Sequence, residues 1–121
     1  VLNFRGARIG GSVQAVSAGT PSIALRTQRE RSSVVVLIAD YTAIDGASRA
    51  WLSVNGAPTE QTYFLSPGGY TVYAAYYPDV GASGNNTYGL SGPGGQTYVI
   101  MAMEVTGLVS FIPLFSVGNI T

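Results

Sequence analysis

An all-β domain, built as a sandwich of two antiparallel sheets, is predicted by three features of the sequence. Sixteen Gly and six Pro interrupt the 121 residues at short intervals. Between them the apolar residues alternate or run in β-branched stretches, and no segment carries the 3.6-residue period of an amphipathic helix. The apolar share is 46% against only 10% charged, enough to build one hydrophobic core and too apolar for a disordered chain.

The strands follow in order. Gly11 to Ala18 alternates Val13 and Ala15 against Gln14 and Val16, and Thr20-Pro21 breaks it. Ser22 to Thr27 sets Ile23 and Leu25 on one face, and the polar Gln28-Arg29-Glu30-Arg31 reads as an exposed turn. Ser33 to Ala43 contains Val34-Val35-Val36-Leu37-Ile38-Ala39. Three adjacent β-branched residues favour strand, and apolar side chains on both faces predict a central strand or one covered on its outer face. Asp45-Gly46 ends it.

Ala50 to Val54 is a short strand running into Asn55-Gly56, the strongest hairpin dipeptide of the chain. Thr62 to Ser66 precedes Pro67-Gly68-Gly69, and Tyr70 to Tyr77 alternates again. Residues 78–95, rich in Gly, read as mostly loop with a brief strand at Thr87 to Leu90. Gln96 to Thr106 is a strand throughout. Leu108 to Val117 is apolar on both faces, and Pro113 within it withholds a ladder N–H, which places it at an edge. Seven or eight such strands suit an immunoglobulin-like or a jelly-roll-like sandwich spanning residues 1–121 as one domain.

The composition excludes much chemistry. His, Cys and Lys are absent, so Ser-His-Asp and Cys-His catalysis and Cys/His zinc sites have no residues to use. Six scattered Arg make no nucleic-acid footprint, and no apolar run reaches the roughly 18–20 residues of a membrane span. Glycine motifs for phosphate fail: Gly92-Pro93-Gly94-Gly95 precedes a strand and lacks the Lys. The carboxylates Glu30, Asp40, Asp45, Glu60, Asp79 and Glu104 show no pairing in their spacing and read as solubilising or turn-capping groups. We expect no enzyme, no cofactor and no metal centre.

The expectation is instead a structural subunit made to be covered by copies of itself. A net charge of zero protects weakly against association. Tyr73 and Tyr77 belong to a Tyr-rich region suited to subunit or glycan contact, or to plain core packing. The ends are apolar: Leu2, Phe4 and Ile9 at one, Phe111, Ile112 and Phe115 at the other. Residues 1–9 are therefore candidates for a strand donated to a neighbour, as in a pilus-like filament. A surface layer, a viral capsid or decoration protein, and a glycan- or protein-binding module are the alternatives. Asn85-Asn86-Thr87 and Asn119-Ile120-Thr121 are N-glycosylation acceptors, and an extracellular, cell-surface or virion location is expected. The start at Val1 fits either a processed terminus or a trimmed one.

Val54-Asn55-Gly56 through Leu65-Ser66-Pro67-Gly68-Gly69-Tyr70-Thr71-Val72 resembles a step found in secreted immunoglobulin-like and PEGA-like modules. The resemblance implies a surface-associated β module with no catalytic residues. In composition the chain also resembles subunits of extracellular archaeal or bacterial filaments.

Overall fold

The computed structural model describes residues 3–5, 8–42, 46–66, 69–106 and 110–112. Ten strands occur among them: β1 Asn3–Arg5, β2 Arg8–Gly19, β3 Ser22–Thr27, β4 Ser33–Asp40, β5 Ala50–Trp51, β6 Thr59–Leu65, β7 Thr71–Tyr77, β8 Gly84–Gly92, β9 Gln96–Thr106 and β10 Ser110–Ile112. No helix of the described residues is long and apolar enough to cross a membrane.

Two antiparallel sheets form the sandwich, one in the order β2-β9-β4-β7-β6 and the other β3-β8-β5. Partners are nested: β2 pairs with β9, β3 with β8 and β4 with β7. Such nesting is what results when one long antiparallel ribbon is rolled up, the jelly-roll arrangement of two Greek keys. The roll departs from four strands over four at one place. β5 and β6 do not pair with each other, and β6 joins β7 as the fifth strand of the larger sheet.

Side-chain alternation decides what faces inward. Val34, Val36 and Ile38 of β4, Tyr73 and Tyr77 of β7, and Tyr98, Ile100 and Ala102 of β9 meet Leu25, Tyr88 and Leu90 of the small sheet in one core. Tyr suits this space because its ring fills the gap between sheets while its hydroxyl reaches a polar group. Tyr77 donates to the Leu52 carbonyl at 2.7 Å and Tyr73 to Gln96 Oε1 at 3.3 Å. The rings of Tyr77 and Tyr88 meet edge to face, centroids 5.1 Å apart. Burial pushes the phenols of Tyr73 and Tyr77 up to about 12.

Three elements differ from the sequence expectation. Residues 84–92 form a nine-residue strand at the centre of the small sheet, where a mostly loop segment was expected. One of its glycines reflects close packing: at Gly89, φ is +121° and a Cβ would lie 2.5 Å from the Pro21 carbonyl oxygen. The strand before Asn55-Gly56 is only Ala50–Trp51. Both turn residues do have positive φ, but the strands they join lie in different sheets, so no hairpin forms. The strand at Gly11 to Ala18 extends over Arg8–Gly19, with a bulge between Ile9 and Ser12.

Glu104 explains that bulge. The carboxylate is fully buried, and Gly10 makes room for it; a Cβ at Gly10 would fall 2.5 Å from Oε1. Oε1 accepts from the Gly11 N–H at 3.1 Å and the Gln28 N–H at 2.9 Å. Oε2 accepts from the Arg29 N–H at 3.1 Å and the Ser32 hydroxyl at 2.6 Å. One carboxylate thus ties β2, the β3–β4 loop and β9 together. Burial alone raises its pKa, but these hydrogen bonds outweigh burial and hold it below the usual value.

Candidate interaction surface

The outer face of the five-stranded sheet can be read directly from the register. Val16, Val99, Ala39, Val72 and Phe64 form one row across the strands. Gln14, Met101, Leu37, Ala74 and Thr62 form the next, and Ser12, Met103, Val35, Tyr76 and Thr59 a third. The three central strands contribute only apolar side chains, the flanking strands add Gln, Ser and Thr, and no row contains a charge. No described strand lies on this face.

At one end Val35, Ala74 and Tyr76 are already buried. Toward the other, Leu37, Ala39, Val72, Val99 and Met101 are half-buried and Val16 is 73% exposed. Leu37, Ala39, Val72, Val99 and Met101, with Gln14, line a shallow groove of about 400 Å³. Apolar residues gathered on one open face make it a candidate contact site. Both methionines of the chain stand on this face, side chains that adapt readily to a partner.

The outer face of the small sheet is the opposite in kind. Ala24 stands beside Thr87 and Arg26 beside Asn85, with Ser91 and Ala50 nearby, all exposed. Small and polar, it needs no covering. The domain is therefore two-sided, with one sheet turned to water and the other presenting an uncharged apolar face.

The residues singled out from sequence are distributed differently. Tyr73 and Tyr77 are 0% and 1% exposed and pack the core, so their side chains offer nothing to a neighbour or to a glycan; here the core-packing reading holds and the contact reading is corrected. Ile9 is 66% exposed at the start of β2. Phe4 and Phe111 are direct partners and Asn3 pairs with Ile112, so β1 and β10 form a two-stranded ribbon within the chain. Asn85 is exposed on the polar face, two residues from exposed Thr87. Leu2, Phe115 and Asn119 lie outside the described residues.

Four of the five described carboxylates, Asp40, Glu60, Asp79 and Glu104, are engaged in holding the fold, and Glu30 is exposed. Glu60 pairs with Arg49 and accepts from the Trp51 indole at 2.8 Å, while the Arg49 guanidinium sits 3.8 Å from the Tyr63 ring centroid. The Arg49 hydrogen bond holds Glu60 below its usual pKa. Asp79 binds Arg31 at 3.1 Å and accepts from the Gly81 N–H, and Asp40 accepts from Thr42. Among the described residues no three potential metal ligands cluster.

Alternation in β9 was the signal for the surface. Val99, Met101 and Met103 oppose the core-facing set, and the run 34–39 is apolar on both sides. Only the pairing of β9 with β4 and of β4 with β7 shows that these outward residues share one face. Comparison with protein-family models, with curated proteins and with solved structures finds no match for this chain.

Proposed function

We propose that the chain is a non-catalytic structural subunit that assembles with copies of itself through the outer face of its five-stranded sheet. The observation that carries this reading is the contrast between that uncharged apolar face and the polar outer face of the small sheet. An all-β sandwich in which Asp40, Glu60, Asp79 and Glu104 are engaged in holding loops and sheets supports a structural role over an enzymatic one. Low charge, zero net charge and an exposed glycosylation triplet at Asn85 support a place outside the cell or on a virion.

The nested strand order favours a shell or lattice of jelly-roll subunits, as in capsid or decoration proteins, over a donor-strand filament. Among the described residues β1 has β10 as its partner, which supports the shell reading over strand donation. Sedimentation velocity over a concentration series tests the reading. The wild type is expected to associate with rising concentration, and Val99→Lys with Leu37→Lys to shift that association to at least tenfold higher concentration, at unchanged far-ultraviolet circular dichroism. A wild type that stays monomeric to millimolar concentration contradicts it.

A further inference from the structure

We infer that β2 is the strand through which two copies first join, edge to edge and antiparallel about a two-fold axis. This rests on the self-assembly reading above and names its contact. The sandwich has four edge strands: β2 and β6 in the large sheet, β3 and β5 in the small one. β5 has only two residues. β6 is broken by a bulge between Glu60 and Thr62, and Arg49 and Trp51 reach across to Glu60. β3 has six residues and carries the exposed Arg26.

β2 differs from all three. From Ser12 to Gly19 it pairs with β9 residue by residue without a shift, and β9 is its only ladder partner among the described strands. That stretch, Ser-Val-Gln-Ala-Val-Ser-Ala-Gly, has no charge and no Pro. Natural edge strands are ordinarily blunted by charge, Pro, a bulge or shortness, and here the single bulge lies before Ser12. An open edge offers backbone N–H and C=O groups that a second strand satisfies. A second copy is the partner that fits. An antiparallel strand pairs with itself under a two-fold, giving an isologous contact, and an uncharged strand meets its copy without repulsion.

Size supports the same arrangement. Five strands about 4.8 Å apart, with about five residues each at roughly 3.4 Å, give the whole sheet face a footprint of roughly 400 Å², of which the open apolar part is smaller. A standard stable interface takes about 800 Å² from each partner. Joining β2 to its copy makes one sheet of ten strands and doubles the apolar face that a further contact can cover.

The chain has no Cys, so single substitutions report proximity cleanly. Gln14→Cys, Val16→Cys and Ser17→Cys are each placed in a Val99→Lys background, where stacking through the apolar face is blocked. At least one is expected to give a disulfide-linked dimer under mild oxidation in the native state, and Thr87→Cys, on the polar face, none. Ser17→Lys with Ala18→Lys, both exposed, is expected to weaken dimer formation at least tenfold while far-ultraviolet circular dichroism stays unchanged. No linkage at any of the three positions, with the charged variant associating as the wild type does, overturns the edge contact. In that case a wild type that still associates keeps the self-assembly reading, and one that never associates removes both.

Discussion

Glu104 shows how much one residue decides here. Replacing it with Gln keeps the volume but turns an amide donor toward N–H groups that need an acceptor. The expected loss is about 2–3 kcal/mol, read from denaturant unfolding. The pH dependence has a definite sign. Its folded pKa lies below the unfolded value of 4.5, so its contribution is full above about pH 4.5 and is lost as pH falls through the folded value. Glu104→Gln should therefore flatten the acid limb of stability against pH; an unchanged acid limb would show that the loop amides do not depend on this carboxylate. Tyr73 and Tyr77 act at the other extreme. Their raised phenols favour the folded state below pH 10, and that contribution is lost as pH rises from 10 through about 12. Absorbance titration should find at least these two of the eight tyrosines ionising late.

At the scale of elements, the edge formed by β5 and β6 is closed by side chains in place of a ladder. Glu60 receives both Arg49 and Trp51, and because this cluster is part-exposed its loss should cost only about 1 kcal/mol. Trp51 is the sole tryptophan, so its fluorescence should report this edge alone: Glu60→Gln is expected to alter the emission at pH 7 with little change in circular dichroism. Glycines divide in the same way. Gly84 and Gly89 both have positive φ, but a Cβ at Gly84 meets nothing within 4 Å while one at Gly89 meets backbone of Pro21 and Ser22. Gly89→Ala should cost at least about 2 kcal/mol more than Gly84→Ala. These positions also show what could be read in advance. β4 was legible because Val34-Val35-Val36 has little choice but to extend, and β9 because its alternation is unbroken over Gln96–Thr106. β8 was hidden because its three glycines read as loop, and a sequence shows composition without the neighbour that demands Gly89. Tyr73 and Tyr77 were ambiguous because phenol rings suit core and interface equally. The pairing of Glu104 with Gly10 and Gly11 joins positions more than ninety residues apart and needs the fold to be seen.

For the molecule as a whole, the jelly roll yields a thin, two-sided body. One sheet faces outward with Arg, Asn, Ser and Thr; the other presents rows of Val, Leu, Ala and Met. The core lies between the two sheets, and the proposed contact uses the apolar outer face of the larger one. Met101 and Met103 are placed to report on it, being the only methionines and both on the apolar face. The most direct measurement is the rate of Met101 oxidation by dilute peroxide, followed by mass spectrometry across a concentration series and in the Leu37→Lys variant. If the apolar face is the contact, Met101 is protected as concentration rises in the wild type and oxidises at the dilute rate at every concentration in the variant. Equal oxidation rates for the wild type at all concentrations, in samples that sedimentation shows to be assembled, would contradict it.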